Sequence, residues 1–266
     1  MVTGNDVFAF LNTLAPLHYQ MDFDNSGFLV GDRSAEVRRI LVALDITDSV
    51  ITEAEATRAD LIVSHHPLIF HKLSGVCADD PTGQKVMRLI RSGISAICMH
   101  TNLDIAAGGV NDALMASLGA DVNDILEPTG TGEDGARLGC GRIGYLQQEM
   151  PLEAFLQLVT ERLHVNGVRY VSGGKPVHHI AVCGGSGGSM LELAHEAGCD
   201  TLVTADVKYD RFLTAQELGI NLIDADHFCT ENVVVPKLAE ALQSHFPDVA
   251  VTVSALKQTV KFYAAR

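Results

Sequence analysis

The segment Leu61-Ile-Val-Ser-His-His-Pro67 is a short apolar run that ends at two consecutive histidines and a proline. A run of this length, rich in branched aliphatic residues, is typical of a strand buried on both faces of a sheet. Two imidazoles at the end of such a strand make poor core, because each needs a buried polar partner. The segment therefore predicts a buried strand that leads directly into a polar site.

Runs of the same kind recur along the chain and alternate with segments of helical period, several of which stop at a glycine. This alternation predicts the α/β class, with two α/β domains built on mainly parallel or mixed sheets. The predicted strands are Ile40–Ile46, Leu61–Ser64, Ile94–Met99, Ile180–Cys183, Thr201–Thr204, Ile220–Ile223 and Val249–Val253.

Composition and charge exclude several classes of protein. The 266 residues include 33 acidic and 19 basic side chains, for a net charge of −14, and no cluster of lysine and arginine offsets this excess. No nucleic-acid partner is therefore predicted. The six cysteines contain no CxxC pair, which argues against a thiolate zinc site or a disulfide framework. With no long apolar stretch and no signal-peptide pattern, we expect a cytoplasmic protein without a membrane partner.

Histidines and carboxylates follow three of the predicted strands, at the point where each strand ends. Because the carboxyl ends of parallel strands share one edge of a sheet, side chains far apart in sequence meet there. Two of the segments place a carboxylate four residues after a histidine, a spacing that puts both side chains on one side of a helical turn. The sequence therefore predicts a metal site at the carboxyl ends of the strands. Its candidate ligands are His65, His66, His100, Asp104, His227 and Glu231.

The ligand types narrow the chemistry of this site. Four imidazoles and two carboxylates, without a thiolate, suit zinc, iron, manganese, cobalt or nickel better than Cu(I), and the choice among these metals stays open. Six side chains exceed what one catalytic metal takes and match two metals with about three ligands each. We therefore expect two divalent metal ions per chain, with open positions for a bridging water.

The chain length suits two compact domains. The turn-rich stretch Glu127–Ala136 is the clearest break in composition, and a second crossing is expected near Asp224–Glu231. We predict a metal-binding α/β domain of residues 1–127 plus 225–266 and a second α/β domain of residues 128–224.

A glycine-rich segment, Cys183-Gly-Gly-Ser-Gly-Gly188, follows one predicted strand and precedes a predicted helix. Its amides can hold a phosphate or a carboxylate, although a plain strand-to-helix turn explains the glycines equally well. Lys208 is a candidate for neutralising charge at the same edge, with a solvated surface position as the alternative. No nucleophile elbow or activated cysteine is present, so no catalytic residue is assigned. The candidate substrate-binding residues are Gly185, Ser186, Gly187 and Lys208.

Several further segments form a motif set together with the candidate ligands. These motifs are Asp24-Asn-Ser-Gly27, Ile62-Val-Ser-His-His-Pro-Leu-Ile-Phe70, His100-Thr-Asn-Leu-Asp104, Gly108-Gly-Val-Asn-Asp112, Gly141-Arg-Ile-Gly144, Val182-Cys-Gly-Gly-Ser-Gly-Gly188 and Asp224 to Glu231. In this order they resemble the Nif-three-like dinuclear metal family, catalogued as GTP cyclohydrolase I type 2. The resemblance implies a pair of divalent metals held by the same six residues, and two α/β domains assembled as toroidal hexamers with the metal sites facing an interior cavity. The short connector 127–139 implies that the extra domain of longer members is absent.

The chain departs from the family pattern at two positions near the proposed ligands. Asp210 follows Tyr209 where members commonly have histidine, which puts in doubt any proton-transfer role of that side chain. Asp226 stands where members commonly have glycine and adds negative charge beside His227.

The function that this pattern predicts is a dinuclear metal-dependent hydrolase in which a metal-bridging water attacks the substrate. The resemblance implies a purine nucleotide as substrate, with the imidazole ring of GTP opened by hydrolysis, and a related phosphorylated substrate is equally compatible with two metals. The alternative is a non-catalytic metal-binding protein with an interaction or regulatory role. A homohexamer follows from the resemblance alone.

Overall fold

The computed structural model describes residues 1–132, 135, 137–256, 260 and 261. Within these residues the strands are β1 (Gly27–Val30), β2 (Arg39–Ala43), β3 (Leu61–Ser64), β4 (Ser95–Cys98), β5 (Ala120–Thr131), β6 (Arg137–Met150), β7 (Arg169–Val171), β8 (Val177–Ser186), β9 (Thr201–Ala205), β10 (Asn221–Asp224) and β11 (Ala250–Val253). The α-helices are α1 (Gly4–Leu14), α2 (Asp48–Thr57), α3 (Pro81–Ser92), α4 (Thr101–Ile105), α5 (Val110–Ser117), α6 (Leu152–Leu163), α7 (Leu191–Glu196), α8 (Tyr209–Leu218), α9 (His227–Glu231) and α10 (Val234–His245). Short 3-10 turns cover Leu17–Tyr19 and Gly188–Met190.

The chain divides into two compact units. The first contains Met1–Ala106 and the described part of Val235–Lys257, and the second contains Ala107–Val234 and the described part of Gln258–Arg266. These limits differ from the predicted domain boundaries, which placed the crossings near residues 127 and 224. Strand β5 belongs to the second unit because it pairs with β6 along most of its length. Helix α9 belongs there too, since the amide of Gly185 in β8 donates to Thr230 Oγ1 in α9 at 3.1 Å.

The first unit contains a sheet of order β1-β4-β3-β2-β11 within the described residues. Strands β11, β2, β3 and β4 run parallel, and β1 lies antiparallel to β4. All four residues of β3 are buried, as the apolar run predicted. One face of the sheet packs on α2 and α3 through residues such as Leu41, Ile51, Ile62 and Leu89. The carboxyl ends of the parallel strands therefore lie at one edge of the sheet.

Helix α3 shows why the helices begin and end where they do. Its N-cap, Asp80, accepts a 2.6 Å hydrogen bond from the amide of Gly83, and Pro81 occupies the first turn. The helix ends at Gly93, whose φ of 67° is in the left-handed region that glycine adopts without steric cost. The chain turns at Gly93 and enters β4 at Ser95.

The second unit contains a mixed sheet of order β5-β6-β8-β9-β10-β7, again counted over the described residues. Strands β8, β9 and β10 run parallel, while β5 with β6, β6 with β8, and β10 with β7 are antiparallel pairs. Helices α5 and α6 cover one face, where Leu114, Phe155, Ile180 and Val203 are buried. Two sheets that mix parallel and antiparallel strands confirm the predicted α/β class.

The predicted strands all occur, with ends shifted by a few residues, and four further strands were missed: β1, β5, β6 and β7. The turn-rich composition of Glu127–Ala136 predicts a domain boundary, and the structure differs. The first five residues of this stretch, Glu127–Thr131, belong to β5, which pairs antiparallel with β6 inside the second unit. Residues 133, 134 and 136 of that stretch lie outside the described residues. No helix in the described part of the chain is long and apolar enough to cross a membrane.

Candidate metal centre

Three histidines come together at the carboxyl ends of β3 and β4 in the first unit. The two strands are parallel neighbours with Ser64 opposite Cys98, so the residues that follow them lie at the same edge. The ring centroid of His65 lies 4.9 Å from that of His66 and 5.2 Å from that of His100. One ring nitrogen from each of the three lies within 4.8 Å of the others. The structure thus assembles the predicted imidazole cluster.

His65 is the most deeply buried member of this cluster, with none of its surface exposed. Its Nδ1 lies 2.8 Å from the carbonyl oxygen of Met99. A carbonyl only accepts hydrogen bonds, so Nδ1 carries the proton and Nε2 carries the lone pair in the neutral ring. The carboxylate of Asp104, on α4, lies 3.7 Å from this Nε2. Asp104 therefore joins the cluster beside His65.

His66 is held by a carboxylate that follows the neighbouring strand β2. Its Nδ1 lies 2.8 Å from Oδ1 of Asp45. The charge of Asp45 favours the tautomer with the proton on Nδ1, which turns the lone pair onto Nε2. Asp45 was not among the residues that the sequence analysis selected.

His100 is oriented by Asp24, whose side chain is fully buried. Nδ1 of His100 lies 2.7 Å from Asp24 Oδ1, and the other carboxylate oxygen accepts from the amide and hydroxyl of Thr101 and from Ser26 Oγ. Burial alone raises the pKa of Asp24, but the hydrogen bonds from His100 and Thr101 outweigh it and hold that pKa far below its usual range. Asp24 is therefore a fixed negative charge behind His100.

The second unit contributes its own pair of candidate ligands on helix α9. Nε2 of His227 lies 3.0 Å from Oε2 of Glu231, one helical turn later, as the spacing predicted. Nδ1 of His227 lies 2.7 Å from Oδ2 of Asp206, which follows the parallel strand β9. The hydrogen bond to Glu231 raises the pKa of His227 to about 9, against the effect of burial, and Asp206 adds to the rise.

The glycine-rich segment supports Glu231. A Cβ atom added to Gly185 would lie 2.2 Å from Oε1 of Glu231 and 3.2 Å from Cε1 of His227, and the residue has a φ of 62°. Only glycine meets both conditions, so Gly185 allows the carboxylate to lie directly against the strand.

The amides of this segment donate to protein side chains. Gly184 donates to Asn111 Oδ1 at 2.9 Å, and Gly187 donates to Thr204 Oγ1 at 2.8 Å. These contacts give the glycines a supporting role, and substrate binding by Gly185, Ser186, Gly187 and Lys208 stays a prediction. Lys208 is exposed at the N-cap of α8. Ser186 is also exposed, at the end of β8.

Two other family-like motifs have a structural explanation in the second unit. Arg142, in β6, is almost completely buried, and its guanidinium donates to Oδ2 of Asp112 at 2.8 Å and to the carbonyl of Gly139 at 2.9 Å. Gly144 in the same strand has no room for a side chain, because a Cβ there would lie 2.2 Å from the carbonyl oxygen of Asp121. These residues fasten the β5–β6 hairpin to the start of α5.

The donor set fits divalent metal. Each of the four histidines directs Nδ1 to a carbonyl or carboxylate oxygen: Met99, Asp45, Asp24 and Asp206 are the partners. Histidine ligands of metal ions are oriented in this way, with the second ring nitrogen presented to the ion. Imidazole nitrogens and carboxylate oxygens without a thiolate suit zinc, iron, manganese, cobalt or nickel.

Comparison with known proteins agrees with the fold and the motifs. Residues 2–260 match the Duf34/NIF3 (NGG1p interacting factor 3) family. A protein of Clostridium perfringens named GTP cyclohydrolase 1 type 2 homolog is 34% identical over 252 residues, which cover 94% of this chain and 95% of that protein. A protein of Clostridium acetobutylicum with the same name is 36% identical over 239 residues, or 90% of this chain and 88% of its own length.

Solved structures give the same result for the fold. A hypothetical protein of Staphylococcus aureus superposes with a TM-score of 0.92 at 28% identity, covering 98% of this chain and 99% of its own. A Bacillus cereus protein related to NIF3 gives a TM-score of 0.91 at 27% identity and covers 100% of this chain and 99% of its own.

Proposed function

Because this chain belongs to the Duf34/NIF3 family, we propose that it is a metal-dependent hydrolase. The proposed ligands of two divalent ions are the six side chains that the sequence pattern selects. Four of them belong to the first unit, and two belong to the second. The ligands are His65, His66, His100, Asp104, His227 and Glu231.

The observation that carries this proposal is the common arrangement of the four histidines. Every one has Nδ1 committed to an oxygen acceptor. His65, which faces the Met99 carbonyl, is fully buried, and so is the side chain of Asp24 behind His100. An imidazole needed only for packing does not require a carboxylate to fix its tautomer. Repetition of the device at four positions supports a ligand role for the whole set.

A divalent metal bound by these residues would supply Lewis acidity and would activate water as a nucleophile near neutral pH. The chain's own residues hold the ligands in place: Asp24 fixes the ring of His100, and Asp206 fixes that of His227. The side chain of Asp206 is also about half exposed. It is therefore our candidate for the group that accepts a proton during the proposed hydrolysis.

The proposed substrate is a purine nucleotide or a related phosphorylated compound. The names of the clostridial relatives, which refer to GTP cyclohydrolase, support the nucleotide. We also propose that the protein works as a cytoplasmic homohexamer, as the family resemblance implies. Sedimentation velocity on untagged protein tests the assembly.

The deciding experiment measures metal per chain by elemental mass spectrometry together with hydrolysis of GTP. We expect close to two metals and metal-dependent turnover in the wild type, and loss of both in His65→Ala and Glu231→Ala with the fold retained. His178→Ala, on β8, is the matched control and should keep its metal. Equal metal in all three variants contradicts the ligand assignment. Two metals without turnover on any nucleotide or phosphoester favour a metal-binding interaction protein instead.

A further inference from the structure

Two exposed aromatic rings lie beside the histidine cluster of the first unit. Phe23 and Phe70 leave 62% and 38% of their surface exposed. The Phe70 ring centroid is 6.0 Å from that of His100, and the two phenyl centroids are 6.4 Å apart with their planes tilted by 58°. Exposed phenyl rings lose the hydrophobic stabilisation that burial gives. A pair of them next to proposed metal ligands therefore calls for an explanation.

The segments that carry the two rings are fixed by side-chain hydrogen bonds of Asp24, which also orients His100, and of Asn25. Phe23 directly precedes Asp24, whose carboxylate accepts from Nδ1 of His100 at 2.7 Å. The side-chain amide of Asn25 donates to the carbonyl of Ile69, the residue before Phe70, at 2.5 Å. One side-chain hydrogen bond thus ties the segment of Phe23 to the segment of Phe70. The rings have a defined place relative to the imidazole cluster.

The size and geometry of this pair suit a small planar ligand. The Phe70 ring also contacts the His71 ring, with the centroids 4.8 Å apart, so a third aromatic ring would reach the pair through the surface that Phe23 and Phe70 leave exposed. Stacked and edge-to-face contacts between aromatic rings are favourable. Together the two side chains expose about 200 Å² of apolar surface, since a phenylalanine presents roughly 200 Å² in all. A stable protein interface needs about 800 Å² from each partner. The pair therefore fits a heteroaromatic ring better than a protein surface.

We propose that Phe23 and Phe70 form a stacking subsite for the planar heteroaromatic ring of the substrate, such as the purine base of a nucleotide. The subsite rests on the proposed hydrolase function for its role in turnover, but it binds the ring whether or not metal is present. It places the base over the histidine cluster and makes these two residues determinants of substrate specificity.

The absence of tryptophan from the sequence gives a direct test. Phe70→Trp and Phe23→Trp each introduce a single tryptophan at the subsite, and its fluorescence can be excited selectively. We expect saturable quenching of both by guanosine monophosphate and little change with ribose 5-phosphate, because only the base stacks on the indole. Tyr170→Trp, at a position in β7 that is 50% exposed in the second unit, is the control and should show no saturable quenching.

A second pair of variants separates stacking from folding. Phe70→Leu should weaken binding of guanosine monophosphate roughly tenfold in equilibrium dialysis, whereas Phe70→Tyr should restore it. Metal content should be unchanged in both. Absence of saturable quenching at both positions, or equal quenching by the ribose phosphate, overturns the subsite.

The outcomes for the subsite and for the hydrolase are distinguishable. Saturable quenching together with no GTP hydrolysis by the metal-loaded protein supports the subsite while the hydrolase fails. Metal-dependent GTP hydrolysis with an unchanged KM in Phe23→Leu and Phe70→Leu supports the hydrolase and overturns the subsite. If Phe23→Leu and Phe70→Leu change the sedimentation coefficient and leave nucleotide binding unaltered, the two rings form a contact between subunits and the subsite is overturned.

Discussion

Oδ1 of Asp24 lies 2.7 Å from Nδ1 of His100, although 76 residues separate them in the chain. The contact exists because β1 runs antiparallel to β4, with Gly27 opposite Cys98. The start of β1 therefore lies at the same edge as the end of β4. The carboxylate faces the histidine from behind and leaves Nε2 available to a ligand.

The first prediction concerns this pair. Asp24→Asn removes the negative charge behind His100, and an amide cannot accept the same set of hydrogen bonds. We expect metal affinity to fall about 10- to 100-fold, as it does when the oxygen partner of a histidine ligand is replaced. Isothermal titration calorimetry, with metal added to the metal-free protein, measures this loss of affinity.

The control for Asp24→Asn is Asp32→Asn. Asp32 also accepts hydrogen bonds in a turn of the first unit, from the amide and hydroxyl of Ser34, but it is exposed. Its replacement should leave metal affinity unchanged. A similar loss in both variants, or no loss in Asp24→Asn, contradicts the orienting role.

The sequence predicted the positions of the histidines because strand ends are a local signal. A buried apolar run such as Leu61–Ser64 is visible from composition, and the structure gives this strand the predicted bounds. Because β3 and β4 are parallel neighbours, the residues that follow them, among them His65 and His100, lie at one edge. The same argument does not extend to His227, because β10, the strand before it, lies in the other sheet.

The oxygen partners of the histidines were harder to predict, because their role depends on long-range pairing. Asp45 follows β2 with no spacing pattern toward His66. Asp24 precedes β1, a strand of four residues with mixed burial that carries no periodic signal. The hairpin of β5 and β6 was missed for a related reason. Turn residues mark a reversal of the chain but do not reveal whether the flanking segments pair with each other.

Gly185 provides the second prediction. In Gly185→Ala the new Cβ meets Oε1 of Glu231 at 2.2 Å, so the carboxylate must move. We expect loss of metal from the ligands of α9 and a decrease of about 3 kcal/mol in the free energy of unfolding. Urea denaturation and metal content measure these effects.

Gly198→Ala is the matched control for Gly185→Ala. Gly198 has a φ of 77°, comparable to the 62° of Gly185, but a Cβ there meets nothing within 4 Å. Gly198→Ala should lower the free energy of unfolding by about 1 kcal/mol, which is the cost of placing alanine in this backbone conformation, and the variant should keep its metal. If both variants lower the free energy of unfolding equally, Glu231 moves aside without loss of stability and the prediction for Gly185→Ala is wrong.

The third prediction is a pH dependence of the metal-free protein. The hydrogen bond to Glu231 raises the pKa of His227 to about 9. A raised pKa in the folded state stabilises the protein fully below the unfolded value of about 6.5, and the stabilisation is lost as pH rises through about 9. We therefore expect the Tm of chelator-treated protein to fall between about pH 7 and pH 10.

His227→Gln should remove most of this dependence, while His178→Gln should retain it. Differential scanning fluorimetry across the pH series measures all three proteins. An unchanged fall of Tm in His227→Gln would assign the dependence to another group. Because a ligand imidazole must be neutral, metal binding at neutral pH should also release a proton from the wild type, which calorimetry in two buffers detects.

Asp226 provides the last prediction. Its φ of 71° and ψ of 135° lie in a region that costs a residue with a side chain about 1 to 3 kcal/mol. Its side chain also caps α9 by accepting from the amide of Cys229 at 3.2 Å. Glycine removes the backbone strain and costs only a few tenths of a kcal/mol at an N-cap. We therefore expect Asp226→Gly to raise the free energy of unfolding by about 1 kcal/mol.

Asp226→Ala separates the strain at this position from the cap. Alanine keeps the unfavourable backbone conformation and loses the hydrogen bond to Cys229, so it should lower the free energy of unfolding by about 1 kcal/mol. Urea denaturation of metal-free protein measures both variants without a contribution from ligand binding. Opposite signs for glycine and alanine identify the backbone as the origin of the effect. Destabilisation by glycine as large as that by alanine would mean that the cap, rather than the strain, decides stability at the start of the helix that carries His227 and Glu231.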